Sequence, residues 1–148
     1  MIATYLFLPD FSDYFYDHLL FSFHGIPMSQ SNAGDPYAEQ RVTTAERVAH
    51  ALGLKQDQWS VSFPAKFGPA PWLEPATIDQ MKAFPAAGKK DLLVICPGFS
   101  VDCLETIEEI RVENQTAFME AGGTSFQYIK ALNATRDHVA LMIALIEE

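Results

Sequence analysis

The segment HLLFSFHG, residues 18–25, is an almost unbroken apolar run that closes on a histidine and a glycine. Strands buried on both faces of a parallel sheet have this composition, because neither face of the strand meets water. The segment therefore predicts a central strand that ends at His24. A second run of the same kind, Lys90–Cys96, contains DLLVIC and is ended by a Pro-Gly pair.

Helices and further strands alternate around these two runs. Helices are expected at 36–52, 76–84, 102–121 and 135–148, and two more strands are expected at 59–63 and 124–132. Alternation of this kind predicts an α/β fold, a single three-layer lobe in which a four-stranded parallel sheet is flanked by helices. Ligands bind such sheets at the carboxyl ends of the strands. That edge would carry His24, the loop after Phe63 and residues 97–105.

The charge balance limits the partners. Ten Lys and Arg residues stand against 19 Asp and Glu residues, a formal net charge of −9. No basic footprint for nucleic acid is present, and contact with an anionic membrane is not indicated. A cationic partner such as a divalent metal fits better. The two cysteines are too few for a disulfide framework or a four-thiolate cluster, which favours reduced thiols in a cytoplasmic protein.

The helix expected at 102–121 carries a row of acids. On an ideal α-helix, Asp102, Glu105, Glu109 and Glu113 share one stripe. The opposite face, expected to be buried, holds Leu104, Ile107, Ile110, Ala117, Phe118 and Ala121. The acidic stripe is either a solvated face or a set of oxygen ligands for a divalent cation or a proton relay.

Two other residues also allow two interpretations. His24 either caps its strand through a backbone hydrogen bond or acts as a metal ligand or general base at the ligand edge. Trp72 stands between two prolines, and it is either a core plug or an exposed aromatic platform.

Several motifs occur together in a characteristic order: LLFSFHGIP at 19–27, GDPY at 34–37, FGPAPWLEPAT at 67–77, PGFSVDCLETIEEI at 97–110 and GGTSFQYIKALN at 122–133. This set resembles the carboxyl-terminal half of ferrochelatase, the lyase that inserts ferrous iron into a porphyrin in heme biosynthesis. The likeness covers residues 17–148. Residues 1–16 do not match the family and are taken as a separate amino-terminal segment.

The resemblance implies roles for individual residues. His24 and Glu105 would face each other across the porphyrin cavity, where they would handle the metal and the pyrrole protons. Glu109 and Glu113 would continue a carboxylate path outward, as weaker metal ligands or a proton relay together with Asp102. The porphyrin-side residues would be Trp72 and Phe99. The family often has a π-type turn in this helix.

Substrates and cofactors are also implied. Fe²⁺ and a porphyrin, protoporphyrin or coproporphyrin, would be substrates. No tightly bound cofactor and no iron–sulfur cluster are expected. Pro64-Ala65 replaces two polar residues of the family pattern, and Arg41 replaces a common cysteine.

The family's amino-terminal lobe has no counterpart in this sequence. The chain is therefore expected to be a partial one that needs a second lobe or a homodimer. The alternatives are a non-catalytic metal- or tetrapyrrole-binding module, or an inactive truncated remnant, which would expose apolar surface where a lobe is missing.

Overall fold

A computed structural model of the protein describes residues 13–64 and 68–147. Its four strands are β1 (His18–Ser22), β2 (Trp59–Ser62), β3 (Asp91–Ile95) and β4 (Ser125–Ile129). They form one sheet in the order β2-β1-β3-β4, and every neighbouring pair is parallel. The predicted α/β fold with a four-stranded parallel sheet is confirmed.

Helices connect the strands. They are α1 (Met28–Asn32), α2 (Tyr37–Ala51), α3 (Thr77–Ala83), a π-helix (Glu105–Asn114) that runs into α4 (Gln115–Glu120), and α5 (Arg136–Glu147). The short α1 was not predicted, because its sequence MSQSN has no apolar periodicity and none of its residues is buried. No helix in the part of the chain that the structure describes is both long and apolar enough to cross a membrane.

Helices cover both faces of the sheet. Alternate residues of β1 point to opposite faces. One face packs against α2, in a cluster that includes Leu19, Phe21, Ala45, Val48 and Ala49. The other packs against α3, the π-helix and α4, in a cluster that includes Leu20, Met81, Val94, Ile110 and Phe118. Because each large apolar side chain contributes about 1.5–3 kcal/mol on full burial, these two clusters hold the three layers together.

The expected long α-helix begins as a π-helix, and this changes which residues it buries. A π-helix bonds residue i to residue i+5, so residues four apart stay on nearly the same face. The buried positions are accordingly Thr106, Ile110, Asn114 and Phe118. The prediction that Leu104, Ile107 and Ala121 lie on the buried face was wrong: the first two side chains are 77% and 41% exposed, and Ala121 is exposed as well.

Strand β1 ends at Ser22, two residues earlier than predicted. The backbone N–H of Phe23 still donates to the carbonyl of Ser62, at 3.0 Å, and the chain then leaves the sheet. His24 therefore lies just beyond the carboxyl edge of the sheet. Residues 1–12, which make up most of the expected amino-terminal segment, fall outside the described residues, and so do Ala65 and Phe67.

Candidate active site

His24 and Glu105 meet at the carboxyl edge of the sheet. His24 follows β1, and Glu105 opens the π-helix that follows the neighbouring strand β3. The His24 Nδ1 atom lies 2.8 Å from Glu105 Oε2. The side chains are 44% and 16% exposed, respectively, so the pair stands at the rim with its carboxylate turned inward. The expected convergence of these two residues is observed.

Each member of the pair keeps an unused acceptor. With Nδ1–H donating to the carboxylate, the imidazole has its lone pair on Nε2, the tautomer in which histidines commonly bind metals. Glu105 Oε1 is buried and has no hydrogen-bond partner. A buried acceptor without a donor costs about 1–3 kcal/mol, so this oxygen is suited to receive a proton or a cation.

Tyr37 holds the backbone at His24. Its hydroxyl donates to the His24 carbonyl, at 2.8 Å, and its own backbone N–H donates to Asp35 Oδ1. Burial raises the pKa of the Tyr37 hydroxyl, and the nearby Glu105 carboxylate raises it further, although the Arg41 cation opposes them. The hydroxyl thus stays protonated and remains a donor. Tyr37 lies within the GDPY motif, but the sequence gave no sign of this contact.

Arg41 is stacked on aromatic rings. Its guanidinium carbon lies 4.6 Å from the centroid of the Tyr37 ring and 5.8 Å from that of Phe23. Its Nε is buried and has no hydrogen-bond partner. The side chain therefore supports Tyr37 from below through cation–π contact, in the position where the family commonly has a cysteine.

Asp102 anchors the start of the π-helix. Its carboxylate accepts hydrogen bonds from Asn133 Nδ2 at 2.9 Å, the Tyr128 hydroxyl at 2.9 Å, the Thr106 hydroxyl at 3.1 Å and the Ala131 backbone N–H at 3.4 Å. Burial alone would raise the pKa of this carboxyl, but the four hydrogen bonds outweigh burial, so the pKa lies below its usual value. Asp102 therefore does not share the environment of an outer carboxylate path, as had been expected from the ideal helix.

Asn133 completes this anchor. Its Oδ1 accepts from the Asp102 backbone N–H at 2.8 Å, and its own N–H donates to the Ser100 carbonyl at 2.9 Å. Asn133 adopts a left-handed backbone conformation with φ +51°, which asparagine tolerates better than most residues. The loop after β3 and the end of β4 are thereby fixed to each other three residues before Glu105.

The other acids of the predicted row lie further along the π-helix. Glu109 is partly buried, and it lines a cavity of about 330 Å³ together with residues that include Phe63, Thr77 and Asp79. Glu113 is exposed. Across residues 13–64 and 68–147, no three His, Cys, Asp or Glu side chains are grouped so that they could hold one ion. The structure thus pairs His24 with Glu105 and does not gather the four predicted ligands into one centre.

The two cysteines differ in environment. Cys96 is buried, and burial raises the pKa of its thiol strongly, an effect that hydrogen bonds from its neighbours do not offset. It therefore stays a protonated core residue. Cys103 is partly exposed and is also a free thiol.

The predicted aromatic residues flank the site. The loop that carries Trp72 is tied to the segment after His24, since Met28 N–H donates to Pro71 O and Leu73 N–H to Ile26 O, at 2.9 and 3.0 Å. Phe99 is partly buried and packs against the core on the π-helix side of the sheet. Their contact with a porphyrin stays a prediction.

The sequence reasoning missed a group of exposed apolar side chains next to Glu105. Val101 is 53% exposed, and Leu104 and Ile107 are exposed as given above. Ideal α-helical periodicity had placed the last two in the core. The π-type turn implied by the resemblance was the one signal that could have moved them to the surface.

Comparison with known proteins gives a consistent result. A sequence model described as Ferrochelatase matches residues 7–148. The chain is 50% identical over 132 residues to the coproporphyrin III ferrochelatase of Streptococcus mutans, which covers 89% of this chain and 41% of that protein. It is 50% identical over 130 residues to the ferrochelatase of Aeromonas hydrophila (88% and 40% covered), and 45% identical over 131 residues to that of Methylococcus capsulatus (88% and 40%). The chain spans about two-fifths of the length of these curated relatives.

Proposed function

Because the chain belongs to the ferrochelatase family, we propose that it forms the metal-handling lobe of a cytoplasmic lyase that inserts ferrous iron into a porphyrin in heme biosynthesis. The observation that carries this proposal is the pair at the edge of the sheet. His24 Nδ1 lies 2.8 Å from Glu105 Oε2, and the second carboxylate oxygen is buried without a donor.

The pair provides the two kinds of group that metal insertion needs. The free-base porphyrin loses two pyrrole protons as Fe²⁺ enters, so bases must lie close to the place where the metal is released. A neutral imidazole and a carboxylate each bind Fe²⁺ and each accept a proton. In the proposed reaction, His24 Nε2 and Glu105 Oε1 receive the metal or the protons, while the bond between Nδ1 and Oε2 keeps both groups in position.

The surface beside the pair is suited to a flat apolar macrocycle. Val101, Leu104 and Ile107 expose apolar side chains next to the acid that opens the π-helix. Covering them with a porphyrin face would stabilise the complex by about 25 cal/mol for each Å² of apolar surface removed from water. Trp72 and Phe99 are proposed to line the same cavity.

A porphyrin has two faces, and this lobe offers a wall to one of them. We propose that the second wall is a separate lobe, corresponding to the part of the relatives that this chain does not match. Distortion of the ring toward metal insertion needs contacts on both faces, so turnover is expected to require that lobe.

Metal binding tests the assignment of the pair. Calorimetric titration of the chain with Zn²⁺ or Co²⁺ should show binding that the substitutions His24→Ala and Glu105→Gln each weaken by about tenfold or more. His50→Ala and Glu46→Gln serve as matched controls, because both residues are exposed on α2. Undiminished affinity in both site variants would reject the assignment.

Insertion tests the reaction itself. Zinc incorporation into protoporphyrin or coproporphyrin is followed by fluorescence, with the unmatched portion of a relative supplied as the second lobe. Turnover that His24→Ala abolishes would support the proposal. Metal and porphyrin binding without turnover, even with the second lobe present, would instead indicate a binding module.

A further inference from the structure

Helix α5 is apolar on nearly every side and is covered by nothing in the structure. Eight of the twelve residues of RDHVALMIALIE are apolar, and none of the twelve is buried. The exposed fractions reach 50% for Val139, 47% for Met142, 51% for Ile143, 57% for Leu145 and 79% for Ile146. Helices that are apolar all round are normally found inside a core, so this helix has the composition of a buried element and the exposure of a surface one.

The largest side chains form a continuous stripe. Val139, Met142, Ile143 and Ile146 follow the i, i+3, i+4, i+7 spacing that places residues on one face of an α-helix. We refer to these four residues as the α5 face. An exposed apolar stripe of this length marks an interaction surface rather than an ordinary solvent-facing helix.

Helix α5 starts from the catalytic edge of the sheet. It follows Asn133, which is bonded to Asp102 through both its amide oxygen and its amide nitrogen. The ring of His138, in the first turn of α5, is hydrogen-bonded to the Asn133 carbonyl. A body that packs on the α5 face is therefore held close to the edge where His24 and Glu105 meet.

We infer that the α5 face is the docking surface for the second lobe of the chelatase. This inference rests on the proposed function and names the surface through which the lobe binds. The relatives carry about three-fifths of their length outside the segment that this chain matches, which is enough for a further lobe. Its position next to the catalytic edge would place that lobe over the open side of the porphyrin site.

Charge argues against the other occupants. The polar positions of α5 include Arg136, Asp137 and Glu147 and form no basic face, so an anionic membrane would not attract it. Two copies of a chain with net charge −9 repel each other, which disfavours a homodimer through this helix. A ferrochelatase lobe with its own apolar patch is the occupant that these observations favour.

Capture in cells is the first test. The chain is co-expressed with the tagged, unmatched portion of the Aeromonas hydrophila ferrochelatase, without added porphyrin or metal. The wild-type chain should co-purify with the tag, and the double variant Met142→Asp, Ile146→Asp should reduce capture by about tenfold or more. Met119→Asp is the matched control, because Met119 is 41% exposed on α4. Equal capture of all three forms would overturn the inference.

Thiol labelling decides the case in which the tagged lobe does not fold by itself. Ile146→Cys is introduced into a Cys103→Ser background, and maleimide labelling is compared between the isolated chain and a fusion in which the lobe precedes the chain. Labelling should be about tenfold slower, or more, in the fusion. Equal rates would overturn the inference.

The alternative occupants give separate results. Sedimentation should show a monomer, and the chain should not co-sediment with vesicles of phosphatidylcholine and phosphatidylglycerol. A dimer or vesicle binding that the double variant abolishes would overturn the inference in favour of a second copy or a membrane. Because none of these measurements involves metal insertion, capture without turnover would reject the proposed function alone, and turnover without slowed labelling would reject this interface alone.

Discussion

Acid should destabilise this fold through one buried histidine, His18, at the start of β1. Its side chain is fully buried, with Nδ1–H donating to the Asp57 carbonyl at 3.2 Å and Nε2 accepting from the Ser60 hydroxyl at 2.8 Å. Burial, followed by the nearby Lys89 cation, lowers the pKa of His18 from 6.5 to about 4, although the Asp57 carbonyl and carboxylate act in the opposite direction. His18 is thus folded into the sheet as a neutral imidazole.

The sign and size of the effect follow from the two pKa values. Above pH 6.5 the histidine is neutral in both the folded and the unfolded chain, so it adds no pH dependence. Between pH 6.5 and about pH 4 the unfolded chain takes up a proton that the folded chain does not, and the free energy of unfolding falls as the pH falls. At about 1.4 kcal/mol per pH unit, the loss from this single group reaches about 3 kcal/mol.

Urea unfolding between pH 7.5 and pH 4, followed by tryptophan fluorescence, measures this loss. The variant His18→Gln should be less stable than the wild type at pH 7, because its amide cannot keep both hydrogen bonds, but its stability should fall less steeply with acid. His50→Gln, at an exposed histidine of α2, should leave the wild-type slope unchanged. The same slope in His18→Gln as in the wild type would refute the reasoning.

Three further predictions concern packing, the anchor and activity. Gly123→Ala would place a Cβ 2.2 Å from the ring of the fully buried Phe118, so it should lower the free energy of unfolding by about 1–3 kcal/mol or more, and the added change Phe118→Leu should recover part of that loss; an unchanged urea midpoint would contradict this. Asp102→Asn should cost about 1–3 kcal/mol and weaken Zn²⁺ binding at His24, because the start of the π-helix loses its charged acceptor; calorimetry that showed wild-type affinity would separate the anchor from the site. The isolated chain should have little zinc-insertion activity, and robust turnover by a monomer proven by light scattering would mean that one lobe is sufficient.

The sheet could be predicted because its strands are buried on both faces. HLLFS and DLLVI contain almost no polar residue that could have suggested another element, and the glycine or proline after each run marked its end. The weaker strand signals at β2 and β4 were found from their position in the alternation. Helix α1 could not be predicted, since its five residues bury nothing and therefore carry no pattern.

The π-helix could not be predicted from residue periodicity. Its buried face includes Thr106 and Asn114, polar residues that do not look like core positions, and the apolar residues between them point outward. Sequence periodicity assumes one helical geometry, so a change to more than four residues per turn reassigns every residue of the segment at once. The resemblance suggested a widened turn but did not fix which residues it would expose.

Asp102 and Glu105 show why the roles of two acids in one motif depended on the structure. They are three residues apart in the sequence DCLE, and both were placed on the same acidic stripe. In the fold, four donors surround the Asp102 carboxylate, whereas Glu105 has one bond to His24 and a second oxygen with no donor. A carboxylate whose lone pairs are filled by protein donors can hold a loop but has little capacity left for a proton or metal, and a carboxylate with an empty buried lone pair has that capacity. The number of donors around each carboxylate, which no spacing rule can supply, therefore separates the positioning acid from the one proposed to carry the chemistry.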